Sequence, residues 1–215
     1  MNEDQHVAAV RRLFDEWAQA GRAEGMQRGH APAAREAFER LGLQPGQHYL
    51  DIGCGNGYSV RWAAELDPSV QAVGLDLSAE MIRLAREQSS QLENVRFVNA
   101  PFPLPLLKAR TFHAILSMEV FYYLPDVAWG MLSAARLLVP GGLFACVVDH
   151  YEENPVSHDW AEQLGLPMHR LSERGWRDVV ESTGLTVVEQ RRLCASVGEP
   201  VSAGSLLTLC RRPQD

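Results

Sequence analysis

Basic clusters are scarce in this sequence. Lys and Arg number 20 against 27 acidic residues, for a formal net charge of −7. A nucleic-acid backbone as main partner needs clustered positive charge. Tight basic pairs such as Arg191-Arg192 and Arg211-Arg212 read as solvated surface. No apolar run approaches the ~20 residues of a membrane span, and the acidic, polar start Asn2-Glu3-Asp4 does not read as a secretory leader. The four cysteines, Cys54, Cys146, Cys194 and Cys210, lie far apart and form no redox pair or metal-ligand spacing. Repeats and low-complexity stretches are also missing. The expectation is a cytoplasmic chain in a reducing compartment, without bound metal, nucleic acid or membrane partner.

What is present is an ordinary globular balance, 46% hydrophobic and 22% charged over 215 residues. A chain of this length buries roughly 70% of its unfolded surface as one compact unit. From Leu50 onward short apolar runs alternate with amphipathic ones, the pattern of a parallel sheet covered by helices. Strands are expected at Tyr49–Ile52, Val70–Leu75, Val95–Val98, Ala114–Ser117 and Leu143–Val148, with closing strands at Leu185–Val188 and Leu206–Cys210. Helices are expected at Tyr58–Leu66, at Ala79–Gln91 behind the cap Ser78, at Asp126–Leu138 stopped by Pro140-Gly141-Gly142, and from Ser172 to Ser182. The polar connection Asp149–Leu171 is long enough to suggest a functional loop. Ahead of the sheet, His6–Leu41 reads as two helical pieces interrupted by Gly21, Gly25 and Gly29. The expected organisation is an N-terminal helical lid or extension, residues 1–40, on a Rossmann-like domain, residues 41–215.

Asp51-Ile52-Gly53-Cys54-Gly55-Asn56-Gly57 follows a strand and opens a helix, where glycines permit a tight turn and close approach of a ligand. Asp76 follows at the tip of the next strand, where a carboxylate accepts from ribose hydroxyls. Dinucleotide enzymes share both features. Asp51 separates the classes, because a carboxylate about 6 Å from a pyrophosphate costs on the order of 2–3 kcal/mol at an effective dielectric near 20. S-adenosylmethionine carries no phosphate and bears a cationic ammonium and sulfonium, so it suits Asp51. The plainer alternative is that Asp51 only caps the following helix.

These residues carry a resemblance. Tyr49-Leu50-Asp51-Ile52-Gly53-Cys54-Gly55-Asn56-Gly57 resembles the first motif of class I S-adenosylmethionine-dependent methyltransferases of the small-molecule type. Val73-Gly74-Leu75-Asp76-Leu77-Ser78-Ala79-Glu80-Met81 is similar to their second-strand motif. Phe112-His113-Ala114-Ile115-Leu116-Ser117-Met118-Glu119-Val120 is similar to the fourth-strand motif, and Leu137-Leu138-Val139-Pro140-Gly141-Gly142 to the turn before strand five. The resemblance runs in order over roughly Leu41 to Val148. It implies a Rossmann-like three-layer α/β sandwich with a mostly parallel seven-stranded sheet, and S-adenosyl-L-methionine as cofactor. It implies cofactor contacts from Asp51, Gly53, Cys54, Gly55, Asp76, Leu77, Met81, Asn99, Ala100, Met118 and Glu119. Asn99 stands where the family usually has Asp, and Met118 where it often has Asn, so only the Met118 backbone carries over.

Methyl transfer is an in-line displacement at an activated carbon, served by alignment and exclusion of water, with a base only where the acceptor must lose a proton. Tyr122, His150, His158 and His30 are the candidate acid–base groups. Tyr123, Tyr151, Glu152, Glu153, Asn154, His169 and Arg28 are further polar residues expected to line the site. The N-terminal segment with Met26, Arg28 and His30 is expected to fold over the cofactor and meet the loop after strand five. A small-molecule acceptor and a monomer or homodimer follow. The rivals are a non-catalytic cofactor-binding scaffold and an NAD-dependent oxidoreductase.

Overall fold

The structure, a computed structural model, describes residues 2–194 and 203–214. The first helix, α1 (Glu3–Gln19), opens with a reciprocal cap between Asn2 and Gln5 and ends at Gly21, whose φ of 73° suits glycine. Helix α2 (Ala23–Leu41) then runs unbroken through Gly25, Gly29 and Pro32. The expected interruption falls at Gly21 alone. Two interior glycines cost about 1 kcal/mol each, and burial of Ala33, Ala34, Ala37, Phe38 and Leu41 offsets that cost.

Strands β1 (His48–Ile52), β2 (Gln71–Asp76), β3 (Val95–Asn99), β4 (Phe112–Met118) and β5 (Leu138–Val148) pair in parallel. Strands β6 (Thr186–Leu193) and β7 (Ser205–Arg211) close the sheet as antiparallel partners, in the order β3-β2-β1-β4-β5-β7-β6. The expected turn at Pro140-Gly141-Gly142 is absorbed into β5, which pairs with Phe112 at Leu138 and resumes regular register at Leu143 after an irregularity. The Gly141 N–H donates to the Arg212 carbonyl and the Arg212 N–H to the Gly142 carbonyl, so this segment is held as sheet.

Helices α3 (Tyr58–Leu66), α4 (Ala79–Gln88), α5 (Val127–Leu137), α6 (Trp160–Leu164) and α7 (Glu173–Ser182) complete the chain. Helices α2 and α3, with Ile82 and Ala85 of α4, form one apolar layer against the sheet. Helices α5 and α7 form the other, around Met131, Ala134, Trp176 and Val180. Helix α1 packs mainly on α4, with Val10 reaching the core beside the sheet. Among the described residues no helix is long and apolar enough to cross a membrane.

The order of strands reverses direction between β1 and β4. That is where an open α/β sheet leaves a crevice at the carboxyl ends of its strands. Ile52 registers with Leu75 and Ser117, so the glycine loop, the tip of β2 and the end of β4 rise to one level.

Candidate active site

The loop after β1 is built for close approach. The N–H groups of Gly53 and Cys54 both donate to the Leu75 carbonyl, at 2.7 and 3.0 Å. Gly53 has a φ of +76°, and a Cβ there would sit 2.1 Å from Cγ2 of Val120. The Gly55 N–H donates to Oδ2 of Asp76 at 2.8 Å, and the Ser78 N–H to Oδ1 at 2.8 Å. Loop and carboxylate therefore fix each other. Burial pushes the Asp76 carboxyl up to about 6 against these donors.

These groups open into a cleft enclosing about 1020 Å³ of space, its mouth included. Gly53, Cys54, Gly55, Asp76, Leu77, Met81, Ala100, Met118 and Glu119 line it. Helix α1 contributes Val7, Val10 and Phe14, and α2 contributes Met26, Gln27 and His30. The N-terminal helices thus cover the strand ends. Three polar contacts seat them: the Asn56 amide donates to Gln27 Oε1 at 2.7 Å, Ser78 Oγ donates to Asp15 Oδ1 at 2.5 Å, and the His6 Nε2–H donates to the Tyr123 carbonyl at 2.7 Å. Among the described residues no Lys or Arg lines the cleft.

Several expected groups lie elsewhere. Asp51 is 3% exposed and does not line the cleft; its carboxylate accepts from Ser59 Oγ, which itself accepts from the Tyr49 hydroxyl at 3.0 Å. Burial is the main reason its carboxyl rises to about 7. Asn99 turns its amide onto the carbonyls of Asp76 and Leu77, at 3.1 and 2.9 Å, and pins the β2 loop from outside. His150 is buried, donates from Nδ1 to the Ser157 carbonyl at 2.9 Å and stacks on Trp160. His158 is exposed and donates to the Glu152 carbonyl at 2.8 Å. Neither histidine reaches the cleft, because the segment after β5 folds back on itself through the Tyr151–Leu171 bridge. Tyr151 donates to the Gly204 carbonyl, His169 lies at the surface, and Arg28 faces solvent beside Glu24.

His30, from α2, does reach the cleft. There it meets Glu119, just past β4, and Asp149, just past β5. The three side chains bring one donor atom each within 4.8 Å of one another. Glu119 is 8% exposed and sits at a φ of 62°, a left-handed value that a non-glycine residue adopts only when its surroundings hold it. They do: the Tyr122 hydroxyl donates to Oε2 at 2.6 Å and the Asp149 N–H donates to Oε1. Burial, then the charge of Asp149, raises the Glu119 carboxyl well above its ordinary range. Tyr122 therefore acts on Glu119, while its neighbour Tyr123 lines the cleft.

Sequence reasoning missed Val7, Val10, Phe14, Gln27 and Asp149. For Asp149 a signal existed, since the first residue past a central parallel strand faces the crevice. For the α1 residues none did, because an apolar stripe on a helix does not say what it covers.

The methyltransferase-domain family model matches residues 50–146. The chain is 31% identical over 152 residues to demethylmenaquinone methyltransferase of Tropheryma whipplei, covering 68% of this chain and 62% of that protein. It is 31% identical over 159 residues to a ubiquinone biosynthesis O-methyltransferase of Psychrobacter cryohalolentis, covering 72% and 60%. It thus spans about three-fifths of the length of these curated relatives. A chain in the solved complex between the Haloferax volcanii Trm112 methyltransferase activator and the putative methyltransferase superposes with a TM-score of 0.86 at 30% identity, over 94% of this chain and 98% of that one. The glycine loop braced by Asp76 and the near-complete match to that solved chain agree: the chain belongs to the class I S-adenosylmethionine-dependent methyltransferases.

Proposed function

We propose that this protein transfers a methyl group from S-adenosylmethionine to a small, uncharged acceptor bound beneath α1 and α2. The cleft lining carries the reading: acidic groups and a histidine, with no Lys or Arg among the described residues. The cofactor bears one more positive charge than negative, so Asp76 and Glu119 favour it in a site partly screened from water. The Gly53 cradle, which a Cβ would fill, supports the same fit. Gly53, Gly55 and Asp76 would hold the methionine and ribose portions, and Leu77, Met81 and Ala100 the adenine. Asp51 would act from behind the loop, through its field.

The cofactor supplies a methyl carbon already activated by the sulfonium. The chain's own contribution is to seat the acceptor, align it and keep water out. An anionic acceptor would meet Glu119 and Asp149 with no protein cation to neutralise it, which favours a neutral one. Apolar side chains from α1, with Phe102 and Leu124, suit an acceptor with a hydrophobic body. The quinone-pathway names of the two curated relatives point the same way. We place the chain in solution as a monomer or homodimer, without nucleic acid.

Calorimetry tests the reading. S-Adenosylmethionine and its demethylated product should bind in the micromolar range, and NAD should not. Radiolabelled methyl transfer to a panel of neutral phenols and quinols, with carboxylates as the contrast, then tests the acceptor class. A chain that binds cofactor but labels no acceptor supports the scaffold reading.

A further inference from the structure

We propose that His30, backed by Asp149, is the general base that takes the proton from an uncharged, weakly acidic hydroxyl of the acceptor. This rests on the methyl-transfer reading above and goes beyond it by naming the base and the acceptor's functional group.

The argument starts from Asp149. Its N–H is committed to Glu119, its carbonyl accepts from the Asn154 amide at 2.8 Å, and Ser205 hydrogen-bonds its carboxylate. The carboxylate is therefore fixed in place, yet its buried Oδ1 has no partner. A buried carboxylate oxygen left unpaired forfeits its hydration with nothing in return. A group with a proton to offer belongs beside it, and His30 is the group there, within 4.8 Å.

His30 meets the geometric needs of a base. His30 lines the cleft, and one of its ring nitrogens lies within 4.8 Å of an Asp149 carboxylate oxygen, so a proton taken from a ligand leaves a cation beside that carboxylate. Other candidates are occupied. Glu119 has Tyr122 on one oxygen and the Asp149 N–H on the other, and burial holds the Tyr123 phenol above its ordinary range. The same double engagement of Glu119 argues against a cation held by these three side chains, since an ion would compete with two strong donors.

The charges around His30 come from several elements. Asp149 faces it from the end of β5 and Glu119 from the end of β4, while Tyr58 and Tyr123 share the cleft. Arg28, on its own helix, is turned to solvent and pairs with Glu24. Burial lowers the His30 ring from its ordinary value and Asp149 opposes that shift, which favours a neutral ring ready to accept a proton near pH 7.

The step balances. The acceptor O–H bond breaks and its proton goes to a His30 ring nitrogen. The oxygen lone pair forms the new O–CH₃ bond, the S–CH₃ bond breaks, and its electron pair stays on sulfur as a neutral thioether. The imidazolium later releases its proton to solvent.

Two measurements on the full chain test this. In NMR titration of the histidine rings, Asp149→Asn should shift His30 to lower pH by on the order of one unit. An unmoved His30 overturns the pairing whether or not any acceptor turns over. The second uses catechol and quinoline at pH 8 with saturating S-adenosylmethionine. His30→Gln should lower the catechol rate about 100-fold or more and leave the rate on quinoline, whose neutral nitrogen has no proton to lose, within a few-fold. Equal loss on both, no loss on catechol, or a rate that appears only with added Mg²⁺ or Zn²⁺ overturns the assignment. Calorimetry on the same variant separates the layers: retained cofactor binding keeps the parent reading while the base falls, and no binding by the parent chain removes both.

Discussion

The Asn56 side-chain amide donates to Gln27 Oε1 at 2.7 Å, joining the glycine loop to helix α2 across the cleft. Asn56 is 2% exposed, so no water replaces that acceptor easily. Gln27→Ala should cost about 1–3 kcal/mol, seen as a fall in Tm of roughly 2–4 °C per kcal/mol for a chain this long. Cofactor affinity should fall with it. A variant with parent Tm and parent affinity would mean that the contact contributes nothing to the loop.

Asp76 holds two backbone N–H groups and lines the cleft, where we propose that it meets the ribose. Asp76→Ala removes a charged acceptor worth roughly 1.5–3 kcal/mol, so cofactor affinity should drop on the order of 10- to 100-fold. Asp76→Asn should recover little, since its amide can accept at one atom only and presents N–H groups to the Gly55 or Ser78 donor. Calorimetry on both variants checks the order; normal binding by Asp76→Ala would move the ribose site elsewhere.

Cofactor binding should depend on pH. Burial places the Asp51 carboxyl at about 7 and Asp76 at about 6, both above the ordinary carboxylate value. A carboxyl raised in the folded state stabilises the fold fully below its unfolded pKa, and that contribution is lost as pH climbs through the folded value. Ionising these groups therefore weakens the ligand-free protein between about pH 4 and 7. A cationic ligand acts in the opposite direction, so affinity should rise from pH 5.5 to pH 8, with protons released on binding. Calorimetry in two buffers of different ionisation enthalpy measures that release. Asp51→Asn should flatten the part of the curve near pH 7; an unchanged curve would leave Asp51 without an electrostatic role.

Helix α1 is separable from α2. Its apolar residues line the cleft and pack on α4, whereas α2 supplies core residues to the sheet. Deleting residues 1–22 should leave a folded chain with most of its thermal stability, weakened cofactor binding and little or no methyl transfer. A cut at residue 30 would sever α2 itself. If the shorter chain keeps the parent turnover rate, α1 is packing and not a cover.

The strands were legible because central parallel strands are continuous apolar runs with glycine or polar punctuation, as in Tyr49–Ile52 and Leu143–Val148. The start of β5 was not, because Pro140-Gly141-Gly142 carries every local mark of a turn and only its pairing with β4 and β7 makes it strand. Gly25 and Gly29 misled in the same way, since the alanines that hold α2 helical act through the sheet beneath them. In the site, Gly53, Gly55 and Asp76 were legible from local spacing. The juxtaposition of His30 with Asp149 was not, because it depends on how a helix that precedes the sheet is laid across its far end. His150 and His158 drew attention by residue type, and their backbone partners turn both away.

The cover that α1 makes over the cleft bears on traffic through it. Val7, Val10 and Phe14 line the same cleft as Leu77, Met81 and Ala100, so a nucleoside product held there would touch a helix that packs mainly on α4. A displacement of that helix would be a motion of microseconds to milliseconds. We predict that product release past α1 paces turnover. The steady-state rate should then fall with added viscogen, while the rate of a single turnover should not.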